Sequence, residues 1–552
     1  MKKLFLVIGL VVACRILAIS QQTSFQARMD VFFNQDYYIP GDTAFFSVKL
    51  LSTMKSAWKG KQLLHLDVID LKDSILIEQY LRVEDGFGSG QIIFPTKAKQ
   101  ELYMIRIHLI STSESMLEWK NYLSLKGGEV KMTNKKIEYQ LGDSIPAVEI
   151  LGLDDNYPHR HKVHLKIKVT SDGHPLKGRF SVRVANKNAV NEQNPLGFLT
   201  DVKTIDKSSL SNSIIWKGKL SNKQSGSPVP DSTHVFTYLQ KNLVGYDFYT
   251  KNGEFELPVF PDFYDDDILF YLAEYKGREL DAVQMTLFRE KTPPTLFSGN
   301  SINSEKNWYG IYKEKKFRVD RSYQSFKAIN KIKTKEPSWV EDHYMEPDVS
   351  INLANYLIFP TVEELIKEII PLLKVRKIKD EYQLRIYLLQ SLESGYMSSE
   401  NPLLIIDGVM SKNIDYLLQM KPADIVAIKL VRKLGKLQSI GGLGKNGIVF
   451  VITKHNALRQ EISATCLRVT GVSSKIDFKQ AVLQTDQQNA RIPDFRVSLY
   501  WNPEAILNKD GETNLTFLTP DDEGQYLLQI HGITDEGDFF SYNKSFKILG
   551  RD

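Results

Sequence analysis

Cysteine is almost missing from this chain: Cys14 and Cys466 are the only two in 552 residues. Once a leader carrying Cys14 is removed, no intrachain disulfide can form, and the fold must rest on its cores. Net charge is also small. The 71 basic and 66 acidic residues leave +5, too little over this length to argue for a nucleic-acid partner. After the first residues, no run approaches the ~18 consecutive apolar residues that a membrane helix needs. The H-E-x-x-H, G-x-S-x-G and C-x-x-C signatures are absent, which removes the common zinc-protease, hydrolase-elbow and thiol-redox chemistries. What is present is ordinary globular usage, 42% hydrophobic and 25% charged, in a chain too long for one core. Roughly 100 to 200 residues per domain predicts about four domains.

The opening "MKKLFLVIGLVVACRILAISQQ" places Lys2 and Lys3 ahead of an apolar run from Leu4 to Ala13, with small residues at Ala18 and Ser20. This predicts a secretory leader over 1–20, cleaved after Ser20, and hence an exported protein. A second reading takes "VVAC" as a bacterial lipobox and makes Cys14 an acylated residue; Arg15 and the shortness of the apolar run count against it.

From Phe25 to Leu125, short alternating runs such as "AFFSVKLLS", "LLHLDVIDL" and "LYMIRIHLI" are broken by Pro40-Gly41-Asp42 and Asp85-Gly86. Period-two alternation with turns this close predicts a β-sandwich over 21–128. Pro40 presets φ, and Gly41 takes the positive φ of a tight turn, so strand reversal accounts for both without a ligand. The stretches "DYYIPGDTAFFSVKL", "VEDGFGSGQIIFP" and "ELYMIRIHL" resemble the macroglobulin-type sandwich that begins alpha-2-macroglobulin-like proteins, over about a fifth of the chain. The resemblance implies structural roles for Tyr38, Pro40, Gly41, Asp85, Gly86 and Tyr103. Macroglobulins that trap proteases carry a Cys-Gly-Glu-Gln thioester; Cys466 sits in "ATCLRV", which excludes that chemistry.

Strand patterns "KVHLKIKVTS" and "GRFSVRVAN" predict a second sandwich over 129–210. A third, over 211–290, contains "IIWKGKLSN", "THVFTYLQ" and "ILFYLAEYKG", and its layout is similar to carboxypeptidase regulatory-like modules. Between 291 and 350 basic residues are mixed with aromatics and periodicity is lost. Such a stretch can stack on single-stranded nucleic acid, but in an exported protein a solvated linker is the expectation, with no nucleic-acid partner.

The region 351–456 changes character. "FPTVEELIKEIIP" has Thr361 and Glu364 at capping-box spacing, an apolar face, and Pro371 as a stop, which predicts a helix. "NPLLIIDGV" predicts a buried strand ending at Asp407-Gly408, "IDYLLQM" a short helix, and "DIVAIKLVRK" a strand entered through Pro422 to Ile425. "GGLGKNGIVFVITK" carries the spacing Gly442-x-Gly444-x-x-Gly447. A dinucleotide cradle needs such glycines to open a helix; these open onto a β-branched and aromatic run, so a tight reversal into a strand is expected and no nucleotide. This order of motifs resembles the plug domain of TonB-dependent outer-membrane receptors. In that family Asp407, Gly408, Pro422, Ile425, Gly444 and Gly447 would be structural positions. A receptor barrel of about 22 strands cannot fit in the 98 residues after Lys454. Residues 457–552 instead predict a further sandwich, with turns at Asp510-Gly511, Glu523-Gly524 and Glu536-Gly537.

The metal candidates are His159 and His161 in "PHRHKVHLK", expected on one side of a strand without a third ligand, and the acids of "DFYDDDILF", which lack EF-hand spacing. The reading therefore assigns no metal and no cofactor. His65 and His108 read as ordinary sheet residues. The sequence thus predicts a multi-domain, mainly-β chain of serial sandwiches plus one small α/β domain. The resemblance implies a non-catalytic envelope protein of a Gram-negative bacterium, periplasmic or at the outer membrane and cell surface, that acts by binding an outer-membrane protein or surface ligand as an accessory component of TonB-dependent uptake. Membrane association would come only through that partner or a lipid anchor. The alternatives are an adhesion or structural scaffold and, in another class, a hydrolase with an unrecognised carboxylate site.

Overall fold

A computed structural model describes residues 24–52, 58–97, 102–111, 117–125, 129–131, 146–192, 197, 199–239, 244–259, 265–288, 301–303, 308–322, 346–454, 466–478 and 493–550, apart from short gaps at 71, 73, 281, 354–355, 357–358, 379–380 and 392–393. The leader and Cys14 lie outside the described residues. The chain divides into two compact units: 1–212 with 292–329 and 472–552, and 213–291 with 330–471.

The first unit begins with an antiparallel sheet of β1 (Ser24–Phe33), β2 (Thr43–Ser52), β3 (Lys61–Asp70), β4 (Ile75–Glu84), β5 (Phe87–Ile93), β6 (Leu102–Leu109) and β7 (Glu118–Ser124). Their order is β1-β2-β5-β4-β3-β6-β7, and a strand from Lys203–Asp206 is added beyond β1. The sheet curls over its core: Phe33 on β1 and Trp119 on β7 bring their rings to 5.8 Å. Alternation works as expected, with Leu64, Leu66 and Val68 of β3 inward. Asp85 and Gly86 both take positive φ (49° and 76°) between β4 and β5, the backbone that a two-residue hairpin demands. Gly41 (φ 90°) donates its N–H to Phe94 O, and the buried Tyr38 donates its hydroxyl to Asn34.

The expected second and C-terminal sandwiches are one domain. Gly178–Asn186 pairs with both Ser498–Ile506 and Gly524–Thr534, and Lys162–Ser171 pairs with Glu512–Leu518. Both halves contribute to a single core, in which Val163, Phe180, Leu528 and Phe546 pack together. The boundary at 457 is corrected accordingly, since Cys466–Thr470 pairs within the second unit and the first resumes at Val472, while the expected break at 210 lies beside the division after Asn212. Neither half has enough strands to cover its own apolar face, so each supplies what the other lacks. The segment 291–350 is likewise not all linker. Trp308–Ser322 is a helix, and it docks on this unit through Tyr309 and Lys313, one turn apart, both of which hold Asp42 at 2.8 Å.

In the second unit, Ile214–Asn222 lies between Glu254–Val259 and Val283–Leu287. A second sheet is built on His234–Leu239 and Asp266–Tyr275, and Cys466–Thr470 adds to its edge. The α/β module orders its sheet as Val349–Asn352, Ile425–Val431, Ile448–Thr453, Leu403–Ile406, Val409–Ser411. Only Leu403–Ile406 and Ile448–Thr453 run parallel. The helix Val362–Ile369 starts where the sequence predicts, with Thr361 Oγ1 accepting from Glu364 N. A second short helix, Ile414–Gln419, is capped by Asn413, and Pro422 opens a 3-10 turn into Ile425. Phe236, Tyr238, Phe270 and Leu272 of the neighbouring sheet join the module's core, so module and sandwich share one apolar interior.

The glycine cluster is not a tight reversal. Between Val431 and Ile448 the chain makes a turn of α-helix, Leu434–Leu437, and 3-10 turns over Gln438–Asn446, which Gly441 (φ 61°) interrupts and Gly447 (φ 85°) ends. Gly442 and Gly444 lie within those turns. The glycines still run into a strand, all six of whose residues are buried.

Candidate functional site

Among the described residues, a group of ligand-type side chains close enough to share an ion lies on the outer face of the first sheet. Alternation sends Leu64 and Leu66 inward on β3 and so leaves His65 and Asp67 on the other face. Ile105 and Ile107 do the same on β6, leaving Arg106 and His108 outward. Register then makes the cluster: His65 stands opposite His108 and Asp67 opposite Arg106 on one side, and His65 opposite Tyr80 and Asp67 opposite Glu78 on the other.

Although this is the outer face, Asp67 is fully buried, and Arg106 and His108 are nearly so. Arg106 Nε donates to Asp67 Oδ2 at 2.9 Å, and Nη2 donates to the same oxygen. Asp67 Oδ1 makes no hydrogen bond; His65 Nε2 lies 3.4 Å from it and 3.1 Å from Glu78 Oε1. The His65 ring stacks on Tyr80 at 4.7 Å and meets the His108 ring edge-on at 5.0 Å. Burial, then Coulombic repulsion from His65, Arg106 and Lys120, holds His108 well below the usual histidine range. His65, Asp67 and His108 each offer one ligand atom, all within 4.8 Å of one another, and among the described residues this is the one such group.

The residues expected from sequence lie elsewhere. His159 and His161 flank a turn at Arg160 (φ 50°), ahead of the strand that begins at Lys162, so strand alternation does not put them side by side. His161 stacks on Tyr157 instead. Of the aspartates in "DFYDDDILF", Asp262 is outside the described residues; Asp266 accepts from Thr470 and Asp267 from the N–H of Ile268. Asp407 is structural: with Gly408 it forms a positive-φ hairpin between Ile406 and Val409, and its carboxylate accepts from Thr453 N at 2.8 Å and Thr453 Oγ1 at 2.6 Å. Tyr103 is buried in the first core.

A second polar group lies inside the first unit, where the two sandwiches meet. Lys49 Nζ and Asp30 Oδ2 pair at 2.9 Å with no exposure on either side chain, and His531 Nδ1 lies 3.5 Å from Asp30 Oδ1. Arg183 donates to Phe33 O and pairs with Asp36. Ser47 and Ser181 share a 2.6 Å hydrogen bond.

The described residues define a mainly-β, multi-domain chain with one α/β module. No family model matches the chain, and no curated protein matches it. Among solved structures it is similar to trypsin-activated alpha-2-macroglobulin from Escherichia coli (11% identity, TM-score 0.25, covering 95% of this chain and 42% of that one). It is similar also to the Salmonella alpha-2-macroglobulin reacted with methylamine (10%, 0.24, 95% and 39%), and to a tetra-tandem repeat from the extending region of a large adhesion protein (7%, 0.13, 94% and 99%). The chain spans about two fifths of the macroglobulins' length. At these values the likeness carries no argument about residues or activity.

Proposed function

We propose that the chain is an exported, non-catalytic component of a bacterial cell envelope, and that its α/β module binds an outer-membrane protein of TonB-dependent uptake. The observation that carries this reading is the module itself. Its motif order resembles a receptor plug, and it leaves Tyr356, Ile378 and Tyr396 nearly half exposed, the aromatic and aliphatic types that anchor interfaces. Attachment to the membrane would come through that partner or through acylation at Cys14. Among the described residues no helix is long and apolar enough to cross a membrane.

The hydrolase reading needs two facing carboxylates. Asp522, whose carboxyl is pushed up by burial, has the Tyr312 hydroxyl as its side-chain hydrogen-bond partner. The test is a photo-crosslinking residue at Tyr396 or Ile378, activated in intact envelopes. An adduct with an outer-membrane barrel protein is the expected result. Adducts only between copies of the chain, or with extracellular matrix, would favour the scaffold reading; no adduct at either position would overturn the module as a docking element.

A further inference from the structure

We propose that His65, Asp67 and His108 form a binding site for a divalent transition-metal ion of the zinc class on the outer face of the first sandwich. Two imidazoles with one carboxylate are a donor set that suits zinc and its neighbours, whereas calcium and magnesium take oxygen ligands. The spacing fits. Tetrahedral ligands at about 2.0–2.1 Å from zinc are separated by roughly 3.3–3.4 Å, and His65 Nε2 stands 3.4 Å from Asp67 Oδ1.

The carboxylate is also oriented for the task. Arg106 occupies Asp67 Oδ2 and so fixes the group, leaving Oδ1 buried, without a hydrogen bond and aimed at the His65 imidazole. Ligands are commonly held by outer-shell partners in this way. β3 and β6 are paired over seven residues, so the ligands sit on rigid sheet. Access is from the side of His65, whose side chain keeps 12% exposure, and Glu78, at 26%. Glu78 Oε1, 3.1 Å from His65 Nε2, borders the position a fourth ligand would take. The charge of Arg106 opposes a cation, which limits affinity without removing the donor set.

The experiment titrates the purified full chain, stripped with a chelator, with Zn²⁺ against a chromophoric chelator and with Co²⁺ by visible absorption. One equivalent is expected to bind, to give the absorption of tetrahedral cobalt, and to raise the melting temperature. His65→Gln, at a part-exposed position, should retain the fold by circular dichroism and weaken binding at least about tenfold; His108→Gln should do the same where it folds. The double variant His159→Gln/His161→Gln should bind as the parent does. Absence of saturable binding, unchanged affinity in His65→Gln, or loss confined to the His159/His161 variant would each overturn the proposal.

Discussion

Buried charge in the first unit gathers around Asp30, and its cost is met by pairing. Lys49, Arg183 and Asp30 all face His531, whose ring stacks on Phe32 at 4.2 Å and meets Phe539 edge-on. Burial lowers the His531 pKa, and the attraction of Asp30 only partly offsets it. A histidine with a depressed folded-state pKa binds protons more readily when unfolded, so its contribution is complete above the unfolded value near 6.5 and is lost as pH falls. The first unit is therefore expected to lose stability from about pH 6.5 downward. His531→Phe, which keeps a ring against Phe32, should make that decline shallower. Thermal unfolding across pH 5 to 8 checks this, and equal slopes in the two proteins would refute the assignment.

At the scale of the element, the turn into Ile448–Thr453 shows why a glycine is required. Gly447 has φ 85°, and a Cβ there would stand 2.7 Å from Ile386 Cγ2 and 3.1 Å from Leu388 Cδ2. Gly447→Val combines a positive φ in a β-branched residue with overpacking, for an expected loss of about 3 kcal/mol. The loss should appear as faster hydrogen exchange in Leu403–Ile406 and Ile448–Thr453, the paired strands it disturbs. The helix Trp308–Ser322 shows the opposite balance between sequence and contacts. Its apolar pattern is weak, and polar contacts join a small apolar cluster of Tyr309, Ala189 and Val497: Gln35 donates to the buried Tyr309 hydroxyl, which itself donates to Asp42. Hydrogen bonds to residues more than 260 positions away leave no period in a local window, which is why this helix reads as linker.

For the whole molecule, the composite second sandwich has the largest consequence. A chain ending at Gly471 loses Ser498–Ile506, Glu512–Leu518, Gly524–Thr534 and Phe539–Ile548. Val163, Leu165, Phe180 and Val182 would then lose the strands that cover them. Residues 146–192 are expected to become sensitive to limited proteolysis in that truncated chain, while the strands of the α/β module, whose core uses none of the deleted residues, stay resistant. Mass spectrometry of the fragments distinguishes the two regions. Resistance of 146–192 after truncation would mean that the half-sandwich folds alone.

What the sequence determined by itself is local: period-two strands such as "LLHLDVIDL", the Asp85-Gly86 and Asp407-Gly408 hairpins, the Thr361 cap and the strand after Gly447. Each rests on backbone sterics or on the side a residue faces, which neighbours in sequence fix. Only the tertiary structure decided which strands pair. It joined Gly178–Asn186 to partners more than 300 residues away, and it set β3 against β6 so that His65 meets His108. The ligand residues were visible as H-x-D on β3 and R-x-H on β6, yet a shift of one residue in pairing would put each on the opposite face from its partner. Register is set by the whole core closing around the strands, and no local pattern encodes it.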